Sequence, residues 1–464
     1  MFIGRKSELD TLNSIWNQNS FGCALLYGRK YVGKTSLISE FTKGKKTIFF
    51  SALASTGRDN LISFTKALYS CISPAMHDIP QLQDWDELFE QINAFAHKEH
   101  IVLVVDDFSN LCHAYPGVLH TLQKLFEHQF ADSNLLIILA DSSIHFMEET
   151  VMASKSPLYG NYTVALRLSP LDYKETASLF PAYSPEDKAL IYGITGGNPY
   201  YLSKLDPDAE IKNNIMTGFF LKNGLFLEEP AHIMKQEFRE LTTYNAILTA
   251  IATGHNRLNE IAEQAELETG LCVKYLKALA SMELIDKETP VASRDRKKSY
   301  YKISDYLFRF WYRFVPENMS HIASGRIFLS YLTAVEDHLP AYMEDMFYEI
   351  VKEYLVKYCN LIPFDIHNIG KWWGPNPKTK ASTEIDLVAT DISHDHGLFG
   401  TLRYSSSRPM DISDLHDLQA KSECVKMVTE KYYCLINRGG FTDVLKAKAA
   451  DEGVLLITLP QLYR

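Results

Sequence analysis

An apolar run, Cys23–Tyr27, leads into Gly28-Arg29-Lys30-Tyr31-Val32-Gly33-Lys34-Thr35-Ser36, and apolar residues at helical spacing follow at Leu37, Ile38 and Phe41. This GxxxxGKT between a strand and a helix constrains the fold more than any other feature of the chain. The glycines let backbone N–H groups close around phosphates, and a helix starting near Lys34 points its positive dipole end at them. Lys34 is placed to reach the β- and γ-phosphates of a triphosphate, and the Thr35 hydroxyl to ligate Mg²⁺. Residues 28–36 are the expected phosphate cradle.

The flanking pattern fits a parallel sheet. Strand candidates occur at Cys23–Tyr27, Thr47–Ser51, Ile101–Val105, Leu135–Ala140 and Thr163–Leu168. Between them Leu61, Phe64, Leu68 and then Leu88, Ile92, Phe95 recur at helical spacing. Continuous apolar strands separated by helices indicate a sheet buried on both faces. The run Ile101–Val105 ends in Asp106-Asp107, which puts carboxylates at a strand's C-terminal tip, where such sheets hold their ligands. Asp106 is the expected partner of Mg²⁺ and Asp107 the residue that orients an attacking water. Asp107 is one methylene shorter than the more usual Glu, so hydrolysis is expected to be slow. The strand Thr47–Ser51, lying in the chain between the phosphate loop and the Asp106 strand, points to the additional-strand class of P-loop ATPases. The fourth strand ends in Asp141-Ser142-Ser143. Ser142 is a candidate γ-phosphate sensor; the alternative is that Ser142 or Ser143 caps the helix that follows.

At 464 residues the chain has room for about three domains with cores of their own. Its net charge of -10 argues against non-specific coating of nucleic acid, leaving a local basic patch open. The seven cysteines are scattered without a CxxC pair and read as reduced thiols. The opening residues carry charge where a signal peptide is apolar. The runs IVLVV and LLIILA fall far short of the roughly 20 residues of a membrane span. A cytoplasmic chain with no membrane partner is the expectation.

With these residues in view, the chain resembles the archaeal-type AAA+/STAND ATPases, also common in bacteria. They open with a segment like Phe2-Ile3-Gly4-Arg5-Lys6-Ser7-Glu8-Leu9 and carry a lid motif like Gly196-Gly197-Asn198-Pro199-Tyr200-Tyr201-Leu202. The resemblance implies ATP and Mg²⁺ as ligands, with Gly4 and Arg5 near the adenine. Pro199 fits the first turn of a lid helix that can close over nucleotide. Where the family follows a segment like Ser156–Gly160 with an arginine finger, this chain has Asn161, and Arg167 is displaced by six residues.

Further along, Ile247, Leu248, Ile251, then Leu258, Ile261, Ala262, Ala265, then Leu271, Tyr275, Leu276, Leu279 mark three short helices. Leu284–Lys287 and Ser299–Ile303 follow as a two-stranded wing, the order of a winged helix-turn-helix. Arg294, Arg296, Lys297 and Lys298 at the wing tip are candidate DNA-phosphate contacts. The third helix lacks an array for base edges, since Lys274 and Lys277 share its outer face with Glu268 and Ser281. A protein-contact module is the equal alternative. The aromatic run Tyr306–Phe314 reads as a docking helix in a core.

The carboxy-terminal third, a helix and then strands at Ile385–Ala389, Leu398–Tyr404, Tyr432–Ile436 and Val454–Thr458, resembles the restriction-endonuclease-like PD-(D/E)XK domain attached to such ATPases. Asp386 supplies the first acid, but Thr401 stands for the second acid and Arg403 for the lysine, while Phe347-Tyr348 stands where Phe-Glu is expected. Losing a carboxylate ligand removes much of the hold on a divalent ion, so the nuclease is expected to be degenerate. His394 and His396, without a third ligand, read as a solvated turn. The expected fold class is α/β: a P-loop ATPase core at 1–168, a helical lid at 169–240, a winged helix at 241–315 and an α/β endonuclease-like domain at 316–464. The expected function is a Mg-dependent, ATP-driven switch; an ATP-controlled DNA-binding regulator and an ATP-gated nuclease are the alternatives.

Overall fold

A computed structural model describes the whole chain except Met1, His77, residues 294–297, Lys378 and Thr379. Arg294, Arg296 and Lys297 therefore lie outside the described residues. The chain divides into two compact units, Met1–Leu171 with Asn198–Tyr200, and Asp172–Gly197 with Tyr201–Arg464.

The first unit is built on five parallel strands: β1 (Gly22–Tyr27), β2 (Thr47–Ser51), β3 (Ile101–Asp106), β4 (Leu135–Asp141) and β5 (Val164–Arg167). Their order is β2-β3-β4-β1-β5. The central strands β1 and β4 are buried at every residue, whereas the edge strands β2 and β5 alternate, as expected when only central strands are covered on both faces. One face places Leu25, Leu103, Ile137 and Leu139 against helices Gly57–Ile72 and Trp85–Ala96. The other places Ala24, Leu26, Val104 and Ile138 against helices Lys6–Trp16 and Lys34–Phe41.

In the sheet, β4 lies between the phosphate-loop strand and the Asp106 strand, while Thr47–Ser51 forms the edge beside β3. A parallel crossover carries the chain over neighbouring positions, so order in the chain is not order in the sheet.

In the second unit, helices Thr242–Ala252, Leu258–Gln264 and Thr269–Ser281 precede the antiparallel strands β6 (Ile285–Glu288) and β7 (Tyr300–Ile303). Ile247, Leu248, Ile261, Leu276, Leu279 and Ile303 share one core with Phe308 and Tyr312 of helix Tyr306–Phe314. The aromatic run is thus mostly buried, as its spacing indicates.

A second five-stranded sheet comprises β8 (Asn368–Pro375), β9 (Ser382–Thr390), β10 (His396–Arg403), β11 (Glu430–Asn437) and β12 (Leu455–Thr458), in the order β12-β11-β10-β9-β8. The pairs β8–β9 and β9–β10 are antiparallel, and β10–β11 and β11–β12 parallel. The sequence expectation lacked β8. Its two glycines, terminal proline and register break between Gly370 and Trp372 hide the alternation that announces a strand. Among the described residues all seven cysteines are unpaired, and no helix is long and apolar enough to cross a membrane.

Candidate functional site

The phosphate loop leaves the C-terminal end of β1 at Gly28. Gly28 has φ 151°, and a Cβ there would collide with the Leu168 carbonyl oxygen just beyond β5. Glycine is therefore required by conformation and by space. Tyr31 has φ 72° and Gly33 φ 95°, so the loop reverses twice before helix Lys34–Phe41 begins. Val32 is buried in the core below and anchors the loop from inside. Arg29 is half-buried, whereas Lys30, Tyr31, Thr35 and Ser36 are exposed. No side chain caps the helix at Gly33, so its first amides are left to an outside acceptor.

The Lys34 ammonium folds back onto the loop, donating to the carbonyls of Gly28 at 2.7 Å and Arg29 at 2.9 Å. An ammonium has three donors, and these two bonds leave one direction for a further acceptor. Lys34 is only 7% exposed. Burial lowers its pKa, while the charges of Asp106, Asp141 and Asp107 pull in the opposite direction.

Those three carboxylates come from neighbouring strand ends. Asp106 ends β3, and burial raises its pKa, helped by the charge of Asp107 and opposed by a bond from the Asp107 N–H at 3.1 Å. Asp107 adopts φ 53°, ψ 47°, a left-handed conformation that turns the chain sharply into the next helix. Its carboxylate lies 3.4 Å from the Ser51 hydroxyl at the tip of β2.

Asp141 is the residue that sequence reasoning passed over in favour of Ser142. It ends β4 directly opposite Tyr27 of β1 and is buried. It accepts the Ser109 and Ser143 N–H groups, each at 2.6 Å, bracing the turns after β3 and β4. Its signal was available in the sequence: a charged residue ending an otherwise wholly apolar strand. Ser143 supplies the cap to the following helix, accepting the Phe146 N–H at 3.2 Å. The half-buried Ser142 is therefore not the cap.

Gly4 and Arg5 both have positive φ, 69° and 62°. The Arg5 guanidinium is buried; it donates to the Val32 carbonyl at 3.0 Å and to the Ser169 carbonyl, and it pairs with Glu8 at 3.2 Å. It thus ties the phosphate loop to the segment after β5 and to the first helix. Pro199 lies 3.6 Å from where a Gly33 Cβ would stand, and Tyr200 stacks on Tyr31 with ring centroids 4.3 Å apart. The tripeptide Asn198–Tyr200 thus sits on the loop. Asn161 donates to the Pro157 carbonyl within its own turn, and Arg167 pairs with Glu148 at 3.3 Å.

The carboxy-terminal candidates look different. Asp386 on β9 accepts the Leu402 N–H at 3.0 Å, and its pKa is raised by burial, with that bond opposing the shift. Arg403 on β10 pairs with Asp414 at 2.6 Å, and Thr401 stands just before Leu402 on the same strand. Glu344 receives the Tyr404 and Ser405 N–H groups. His396 bonds to Asp391 at 2.8 Å and His394 to Thr390 at 3.1 Å, so the two rings do not converge on a common partner. Lys298, exposed just before β7, is the one wing-tip candidate within the described residues.

A family described as an ATPase domain predominantly from Archaea matches residues 2–205, and a family of archaeal and bacterial proteins of unknown function matches residues 311–415. An uncharacterised protein of Methanocaldococcus jannaschii is 32% identical over 449 residues, spanning 94% of this chain and 96% of that protein. An uncharacterised ATP-binding protein of the same organism is 50% identical over 46 residues, 10% of this chain and 78% of its own length. Among solved structures, the Walker-type ATPase of Pyrococcus abyssi aligns with a TM-score of 0.50 at 21% identity, covering 67% of this chain and 96% of that one. That likeness is one of fold. With the phosphate loop, the parallel strand order and a relative matching nearly end to end, the chain belongs to the archaeal-type P-loop ATPase family.

Proposed function

We propose that the chain binds Mg·ATP on residues 28–36, hydrolyses it slowly, and uses nucleotide occupancy to switch what the segment after Leu171 presents to a partner. The observation that carries this reading is the shape of the loop. Gly28, Tyr31 and Gly33 all hold positive φ around an uncapped helix start, with Lys34 on the inside. Alternating left-handed turns ahead of an uncapped helix start, with one ammonium beside them, are the backbone chemistry that takes phosphate oxygens.

The donor set also fits a hard divalent cation. Thr35 offers a hydroxyl on the first helical turn, and Asp106, Asp107 and Asp141 are close enough to act on Lys34, so oxygen donors of the kind a hard cation takes gather there. Thr35 and Asp106 would hold the ion, which when bound neutralises charge on the β- and γ-phosphates. Lys34 would turn its remaining donor to the same oxygens. Asp107, held by its left-handed turn with its carboxylate near Ser51, would orient water. Ser142 would sense the γ-phosphate from the tip of β4. Arg5 and Gly4 would shape the loop through Val32 and border the adenine. The relative named as ATP-binding supports the choice of nucleotide.

The switch is supported by Asn198–Tyr200. This tripeptide belongs with the phosphate loop, while the residues joined to it on both sides belong to the other unit. Tyr200 stacks on Tyr31, so nucleotide in the loop would act on a tripeptide joined on both sides to the other unit. The helices and hairpin from Thr242 to Ile303 are read as a winged helix, and the second sheet as an endonuclease-like domain that binds without cutting. Asp386 and Arg403 are held in structural bonds, and Thr401 cannot replace a carboxylate. An ATP-controlled, DNA-binding variant of this reading rests on Arg294, Arg296, Lys297 and Lys298 and requires duplex binding that weakens steeply with salt.

The test is phosphate release with and without magnesium, paired with hydrogen exchange under ATP. The expected result is magnesium-dependent turnover, slower exchange in residues 28–36, and altered exchange beyond Leu171. Protection confined to residues 28–36 would retain the ATPase and remove the switch.

A further inference from the structure

A cavity of about 490 Å³ lies wholly within the second unit, walled by β7, helix Tyr306–Phe314, helix Leu339–Lys357 and the β8–β9 pair. This is the size of pocket that takes a small organic ligand. Its chemistry differs from that of the phosphate loop and owes nothing to it.

Charge is the first observation. The lining carries six basic side chains against four carboxylates, in a chain whose net charge is -10. Three of those carboxylates are already paired inside the wall: Glu288 and Glu349 with Lys302, and Asp345 with Arg309 at 2.7 Å and Lys371 at 3.6 Å. Arg257, which pairs with Glu260 at 3.9 Å, Lys298 and Arg313 stand exposed around the cavity rim.

The second observation is an orphan donor. Tyr348 is 5% exposed and lines the cavity, yet its hydroxyl has no hydrogen-bond partner among the described residues. Buried hydroxyls are rarely left so, because desolvation without a bond is costly. The ammonium groups of Lys371, Lys352 and Lys302 lie 5.2, 5.8 and 6.0 Å from the Tyr348 ring centroid. Each of these lysines is paired with a carboxylate, Lys302 with Glu288 and Glu349, Lys352 with Glu349 and Lys371 with Asp345, so the Tyr348 hydroxyl is the donor left for an outside acceptor.

The third is a planar surface. Trp373, half-buried, meets Tyr300 with ring centroids 4.9 Å apart and planes tilted by 46°, and both line the same cavity. Aromatic faces of this kind stack on nucleobases whatever their sequence.

We propose that this cavity binds a phosphate-bearing nucleoside, its phosphate accepting from Tyr348 and Lys371 and its base lying against Trp373. Such a ligand has two sources, a free mononucleotide and the end of a single strand. The experiment titrates the full chain by calorimetry with uridine monophosphate and, separately, with 5′-phosphorylated pentathymidylate, in the unmodified protein and in Lys34→Ala. Saturable binding of either probe that survives Lys34→Ala is expected, which separates this site from the phosphate loop. The probe that binds more tightly identifies the source. Tyr348→Phe should weaken that binding about fivefold without lowering the thermal midpoint, because the orphan hydroxyl contributes nothing to the unliganded fold. Arg313→Glu, at an exposed position that should not affect folding, should weaken it by a similar or larger factor. Binding of neither probe, binding lost in Lys34→Ala, or equal affinity in both cavity variants and the unmodified chain would overturn the proposal.

Discussion

The two five-stranded sheets of this molecule both place acidic and basic side chains near their strand ends, but they use them differently. Around the first sheet, the Lys34 ammonium retains a donor direction, the helix start at Gly33 is uncapped, and Thr35 stands exposed. Around the second, Asp386 is bonded to a backbone N–H, Arg403 to Asp414, and Glu344 to two amides. The backbone differs in the same sense. Gly28, Tyr31, Gly33 and Asp107 all have positive φ in the first unit, whereas of the carboxy-terminal candidates His394 has it and Asp386, Thr401 and Arg403 do not. Strain and unfilled bonding capacity occur together where a ligand is to be held. Residue types alone do not make a site; what matters is which of their atoms the fold leaves available.

That contrast can be broken at both ends. Gly28→Ala is expected to have the largest effect, since the new methyl group meets the Leu168 carbonyl at a φ that alanine resists. A loss of about 3 kcal/mol in chemical denaturation, together with loss of nucleotide binding, is the expected outcome. Asp107→Asn comes next and should act on rate alone. Asn tolerates the left-handed turn, so the unfolding midpoint should stay put while turnover falls about 100-fold, near 2.7 kcal/mol of barrier. Equal turnover in that variant would remove Asp107 from the chemistry.

In the second sheet the pattern should invert. Asp386→Ala leaves the Leu402 N–H without its partner and should cost about 2 kcal/mol of stability, with ATP turnover unchanged. Divalent-dependent cleavage of DNA that disappears in the same variant would reverse the comparison and restore a nuclease. Arg403→Ala should be the mildest change, about 1 kcal/mol or less by thermal unfolding, because its pair with Asp414 is partly solvated.

Much of this was legible in the sequence, for physical reasons that also explain the gaps. Strands β1, β3 and β4 are covered on both faces, so they read as unbroken apolar runs, and the glycine spacing of residues 28–33 has few other uses. The position of Thr47–Ser51 at the sheet edge was not legible, because crossovers erase chain order. Asp141 was visible as a charge ending an apolar strand, but its role depends on two amides that only the folded turns bring within reach. The Arg5 clamp joins residues separated by 27 and 164 positions, a relation no local pattern carries. The same holds for Tyr348, whose missing partner becomes apparent only once the strands around it are assembled.

The most direct test of the account is calorimetric titration of the full chain with ATP and magnesium, set beside Lys34→Ala. The account predicts one saturable site in the unmodified chain and at least a 100-fold loss of affinity in the variant, as expected when a buried ammonium facing phosphates is removed (about 2.7 kcal/mol or more). Equal affinity in the two proteins would place the nucleotide elsewhere and contradict the account.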